Sequence, residues 1–123
     1  MKVTFADTFF YLALLNTRDP YHQKVIRILK TGLPPTVTTE PVLLELADAL
    51  SNPHFRVLAA DLIQELRMSS DVTVVALTSS ILDKGLALYR QRIDKDWSLT
   101  DCISFVVMKN QGITEVQTWD LHF

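Results

Sequence analysis

The chain has 123 residues, of which 48% are apolar, and a formal net charge of −2. This length favours a single domain, spanning residues 1–123, that buries about two thirds of its unfolded surface. No apolar run approaches the ~20 residues of a membrane span, and the segment after Met1 lacks the flanks of a signal peptide, so we expect a cytoplasmic protein. The net charge excludes a strongly basic whole-chain signature of nucleic-acid binding, but it allows local basic patches.

The first half of the chain alternates strand patterns with helix patterns. Asp19 as N-cap and Gly32 as a C-terminal stop predict the ends of one helix. Thr38 or Thr39 can cap the next helix, and Pro53 disfavours helix in the residue before it. The predicted elements are strands over residues 2–6 and 34–39 and helices over residues 8–16, 19–32 and 40–50.

The second half repeats this alternation. An apolar stripe from Phe55 to Leu66 predicts an amphipathic helix, and the β-branched run at 72–75 predicts a largely buried strand. A polar connection over 94–101 leads into the last full helix. The predicted elements are helices over residues 54–68, 78–93 and 102–112, strands over 71–77 and 113–119, and the start of a final helix over 120–123.

Strands separated by helices of ten residues or more require crossover connections, which are right-handed and produce parallel strands. We therefore predict an α/β three-layer sandwich, in which helices cover both faces of a mainly parallel sheet of about four or five strands. In such sheets, ligand sites form beyond the carboxyl ends of the strands.

Four of the fourteen carboxylates do not fit an ordinary solvated helix face. Asp7 and Asp120 follow the first and fourth predicted strands, and parallel pairing would bring both to one edge. Glu45 interrupts an apolar helical run, and Asp101 lies in an apolar helix start three residues after Ser98. Each has a structural alternative, since Asp7 and Asp120 can be N-caps and Ser98 with Asp101 resembles a capping box.

Convergence of these four carboxylates would create strong repulsion unless a cation were bound. Oxygen ligands without clustered His or Cys favour Mg²⁺ or Mn²⁺ over zinc. The single Cys102 is expected to be a small core residue, and the three scattered histidines are expected to be structural or exposed. The sequence therefore predicts a Mg²⁺ or Mn²⁺ site that supports phosphodiester hydrolysis.

The chain resembles the PIN-domain nucleases, in particular the VapC-like toxins of bacterial toxin–antitoxin modules. The resemblance rests on FADTFFYLALLN, TTEPVLLELADAL, WSLTDCISFVVM and TEVQTWDLHF, and it covers essentially the whole chain. It implies metal-dependent cleavage of RNA, with Asp7, Glu45, Asp101 and Asp120 as metal ligands and catalytic residues, and Thr8 and Ser98 in supporting roles. Family members usually continue through a further helix or strand, so a truncated C-terminal segment is one interpretation of the chain end.

An RNA strand requires positive charge near the carboxylates. The best candidates are Arg90, Arg92 and Lys95, which precede the Asp101 motif, and weaker ones are Lys24, Arg27 and Lys30. The resemblance further implies an antitoxin partner and a homodimer, for which Tyr11 and Tyr21 in the aliphatic-rich early helices offer only indirect support. Two alternatives stay open: a receiver-type or phosphatase-type phosphate-handling domain, and a catalytically inactive partner-binding module.

Overall fold

The computed structural model describes residues 2–117 and contains one parallel sheet with helices between its strands. The architecture confirms the predicted α/β sandwich. The strands are β1 (Thr4–Ala6), β2 (Thr36–Thr39), β3 (Val72–Val75) and β4 (Glu115–Gln117). The helices are α1 (Thr8–Leu15), α2 (His22–Thr31), α3 (Glu40–Ala49), α4 (Pro53–Met68), α5 (Ser79–Gln91) and α6 (Leu99–Gln111).

The strand order is β3-β2-β1-β4, and all three neighbouring pairs are parallel. The chain moves outward from β1 to β3 and then returns to the other side of β1, where Ala6 lies opposite Gln117. The carboxyl end of β1 is therefore next to the point at which the winding direction reverses. Open α/β sheets form ligand sites at such points.

The core surrounds β1 and the helices that follow β1 and β2. Phe5 and Leu46 are fully buried, and Phe10 is 1% exposed. The ring of Phe10 makes an edge contact with that of Tyr11, with centroids 5.4 Å apart. Because Asp7 lies between Phe5 and Phe10 in the sequence, two core anchors fix its backbone.

Helix α6 packs closely on α5 at a glycine. A Cβ atom at Gly85 would lie 2.7 Å from Cγ1 of Ile103, which is closer than side-chain packing allows. Gly85 therefore lets α5 approach the first half of α6. This contact fixes the helix that carries Asp101.

Two predictions of local structure were wrong. Helix α2 begins at His22, because Asp19 accepts a hydrogen bond from the Tyr21 N–H at 2.8 Å and closes a turn instead of capping the helix. Strand β3 was predicted to be largely buried, but Thr73 is exposed and the three valines are only half-buried, because β3 lies at the edge of the sheet. Thr39 caps α3 as predicted, accepting from the Val42 N–H.

The predicted end of the fourth strand and the start of the final helix lie outside the described residues. Asp120 belongs to this segment. None of the helices between residues 2 and 117 is both long and apolar enough to cross a membrane.

Candidate active site

Asp7 lies at the carboxyl end of β1 and is only 3% exposed. Its side chain is the N-cap of α1, and Oδ1 accepts a hydrogen bond from the Phe10 N–H at 3.2 Å. The Asp7 N–H donates to the Gln117 carbonyl at 3.4 Å, which ties it to the end of β4. The capping role and the strand-end position predicted for Asp7 therefore occur together.

Glu45 is connected to this edge through the residue after Asp7. The Thr8 hydroxyl donates a hydrogen bond to Oε1 of Glu45 at 2.5 Å. Thr8 is buried and Glu45 is partly buried, so this contact joins the first turn of α1 to the middle of α3. Thr8 was predicted to help orient Asp7, whereas the contact observed here orients Glu45.

Asp101 is held in the first turn of α6 by a capping box. Its Oδ2 accepts from the Ser98 N–H at 3.1 Å, and its own N–H donates to the Ser98 hydroxyl at 3.0 Å. Burial, with a smaller contribution from the charge of Asp101, raises the pKa of the Cys102 thiol. Cys102 is fully buried and free, as expected of a core residue.

The first turn of α6 and Glu45 share one cleft of about 280 Å³. Glu45 and Asp48 line it from α3, and Leu99 and Thr100 line it from α6. Among residues 2–117, however, no three His, Cys, Asp or Glu side chains come close enough to bind one metal ion. The predicted fourth carboxylate, Asp120, lies outside these residues, so the four-carboxylate cluster stays a prediction.

The donor types fit a hard divalent cation. Asp7 and Glu45 could offer carboxylate oxygens, and the Thr8 hydroxyl joins the elements that carry them. Asp101 adds a carboxylate at a rigid helix start. Such an all-oxygen set suits Mg²⁺ or Mn²⁺ and does not suit a zinc site built from His or Cys.

Tyr11 is buried beside this edge and does not belong to a docking surface. It is 3% exposed, and burial raises the pKa of its phenol well above the usual range. The negative charge of Asp7 acts in the same direction, whereas a hydrogen bond with Thr38 opposes it. The Thr38 hydroxyl also donates to the Ala6 carbonyl at 2.9 Å, so it holds the peptide that precedes Asp7.

The predicted cations before α6 differ in their surroundings. Arg90 and Lys95 are exposed. Arg92 instead forms two hydrogen bonds with Asp94, at 2.9 and 3.0 Å, and its guanidinium lies 4.9 Å from the ring centroid of Trp97. Sequence reasoning missed this arrangement, although the opposite charges two residues apart were a signal for it.

Comparison with models of known protein families shows to which family the chain belongs. A model of the PIN domain matches residues 4–123. The chain belongs to the PIN-domain family. This match confirms the resemblance predicted from the sequence and leaves the receiver-type and phosphatase-type alternatives without support.

Individual relatives of this PIN domain include VapC20 of Mycobacterium tuberculosis, described as a 23S rRNA-specific endonuclease. The two sequences are 29% identical over 119 residues, which is 97% of this chain and 90% of that protein, in the forms from strains CDC 1551 and H37Rv alike. The crystal structure of VapC20, described as a toxin that cleaves the sarcin–ricin loop, matches with a TM-score of 0.86 and 28% identity. That match covers 98% of this chain and 91% of the other.

Proposed function

We propose that this PIN domain is a metal-dependent endoribonuclease and the toxin of a toxin–antitoxin pair. The observation that carries the proposal is the similarity to a 23S rRNA-specific endonuclease over 97% of the chain. The buried carboxylate at the carboxyl end of β1 supports the same assignment, because this is the edge at which α/β sheets form their sites. We further propose ribosomal RNA as the substrate class and the cytoplasm as its location.

The proposed metal ligands and catalytic residues are Asp7, Glu45, Asp101 and Asp120. When bound, Mg²⁺ or Mn²⁺ supplies positive charge at the phosphate and lowers the pKa of a bound water. Asp7 and Asp101 contribute fixed carboxylates, since each is held by hydrogen bonds at a helix start. Two neighbouring hydroxyl residues have supporting roles. Thr8 donates a hydrogen bond to Glu45, and Ser98 completes the capping box with Asp101.

Arg90 and Lys95 are the proposed RNA-binding residues. Both are exposed and lie on the chain segment that leads to Ser98 and Asp101. Their positive charges would offset the repulsion between the carboxylates and the RNA phosphates. Arg92 was predicted with them from the sequence, and it forms an ion pair with Asp94 at 2.9 Å.

Two protein partners are part of the proposal, namely an antitoxin and a second copy of the chain. Exposed apolar side chains on α1 and directly before α2 offer a contact surface, including Phe9 at 47% and Tyr21 at 45% exposure. Light scattering of the purified chain tests the homodimer, because a mass of one chain would exclude it. Copurification with the product of a neighbouring gene for a small DNA-binding protein tests the antitoxin.

The proposed activity predicts that the purified protein cleaves 23S rRNA in the presence of Mg²⁺ or Mn²⁺ and not in excess EDTA. The expected products are discrete fragments detected by primer extension, with a synthetic sarcin–ricin hairpin as a second substrate. Equal cleavage in EDTA would contradict the metal-dependent mechanism. Absence of cleavage of either RNA with both ions would contradict the proposed substrate and favour the catalytically inactive alternative.

A further inference from the structure

The segment that joins α5 to α6 is held by an arginine fork. Nε and Nη2 of Arg92 donate to Oδ1 and Oδ2 of Asp94 at 2.9 and 3.0 Å. This hydrogen bonding raises the pKa of Arg92 and lowers that of Asp94. A bidentate pair of this kind fixes the plane of the guanidinium as well as its position.

The same guanidinium packs on a tryptophan. Its Cζ atom lies 4.9 Å from the centroid of the Trp97 ring. Trp97 in turn makes an edge contact with Phe105, at 4.8 Å between centroids and an interplanar angle of 63°. Trp97 is therefore held on one side by the end of α5 and on the other by α6.

These contacts lead directly to Asp101. Trp97 precedes Ser98, whose N–H donates to Oδ2 of Asp101, and Phe105 lies one helical turn after Asp101. A fixed Trp97 ring would restrain the backbone of Ser98 and, through the capping box, the direction of the Asp101 carboxylate.

We propose that Arg92, Asp94 and Trp97 form a loop clamp that positions Asp101, and that Arg92 is a positioning residue which does not bind RNA. The proposal deepens the proposed function and rests on it, because Asp101 matters here as a metal ligand. A catalytic carboxylate needs a position fixed to within a fraction of an ångström, which supporting residues provide.

Electrostatics argue against the alternative in which Arg92 binds a phosphate. The Asp94 carboxylate contacts Arg92 through both of its oxygens, so a phosphate approaching the guanidinium would also meet a negative charge. The side chains of the pair are 40% and 61% accessible to solvent, so we expect it to add at most about 1 kcal/mol to the free energy of unfolding. The bidentate geometry instead points to an effect on the conformation of the loop.

The two roles predict opposite results for Asp94→Asn. If the pair is a clamp, Asp94→Asn and Arg92→Lys both lower kcat for 23S rRNA by about 10-fold. Mutations of residues that support metal ligands typically lower activity by about 10-fold to 100-fold, and we expect the smaller effect here. In EDTA and at constant salt, the affinity for a fluorescein-labelled sarcin–ricin hairpin then changes less than about twofold. If Arg92 binds phosphate, Asp94→Asn frees its charge and tightens hairpin binding, whereas Arg92→Lys keeps most of the binding and the cleavage. That second result would overturn the proposal.

Metal binding provides a readout that does not depend on cleavage. Both clamp variants should need about 10-fold more Mn²⁺ than the wild type for the same rise in Tm, because a misplaced Asp101 binds the ion less tightly. Matched controls are Arg18→Lys and Asp61→Asn, which change exposed residues outside the proposed site. An unchanged Mn²⁺ response in both clamp variants would overturn the proposal. If Mn²⁺ raises the Tm of the wild type but the protein cleaves neither RNA, the proposed substrate is wrong. The Mn²⁺ dependence of Tm in the two clamp variants then still decides whether the clamp positions Asp101.

Discussion

Replacing Asp7 with asparagine is expected to lower RNA cleavage by about 100-fold or more, because a lost metal ligand removes several kcal/mol of transition-state stabilisation. The fold should tolerate the change. Asparagine is as good an N-cap as aspartate, so its side-chain oxygen can still accept from the Phe10 N–H. The free energy of unfolding in EDTA should therefore stay within about 1 kcal/mol of the wild-type value.

The matched variant Asp7→Ala separates the two roles of this side chain. It removes the charge and the cap together, so its activity should fall as far as that of Asp7→Asn while its stability falls by about 1 kcal/mol more. Initial rates on 23S rRNA and urea unfolding in EDTA measure the two quantities. Full activity of Asp7→Asn would contradict the assignment of Asp7 as a metal ligand.

Replacing Leu46 with alanine is expected to lower the free energy of unfolding by about 2–5 kcal/mol. Leu46 is fully buried in α3 beside Glu45, and truncation leaves a cavity that close-packed neighbours fill only in part. Total stabilities of domains are about 5–15 kcal/mol, so this one change removes a large share. Urea unfolding monitored by circular dichroism measures it.

Met68→Ala is the control for this change, because Met68 is of similar size but is 86% exposed at the end of α4. Its free energy of unfolding should change by no more than about 0.5 kcal/mol. A similar loss of stability in both variants would show that burial does not set the cost. A loss below 1 kcal/mol for Leu46→Ala would contradict the assignment of α3 to the core.

The sheet and the position of Asp7 could be predicted from the sequence because both follow from short-range patterns. Alternation of strands with helices predicts parallel pairing, and a carboxylate directly after a buried strand must then lie at the carboxyl edge. The start of α2 could not be predicted in this way. Asp19 can either cap a helix or close a turn, and the same residue type favours both.

The site contacts were less predictable because they join distant parts of the chain. Thr8 and Glu45 are 37 positions apart, and no local pattern indicates that the hydroxyl of one donates to the other. The partial exposure of β3 depends on its place at the edge of the sheet, which the composition of a strand does not determine. Tyr11 illustrates the same limit, since an aromatic residue on an apolar helix fits the core and a docking surface equally well.

The most direct test of the metal site is the change in Tm on adding Mn²⁺ to the wild type and to Asp7→Asn. A ligand that binds only the folded state at about ten times its Kd adds about 1.4 kcal/mol, which corresponds to a rise of about 5 °C for a domain of this size. We predict this rise for the wild type and little or none for Asp7→Asn at the same Mn²⁺ concentration. An equal rise in both proteins, or none in the wild type, would contradict a metal site that contains Asp7.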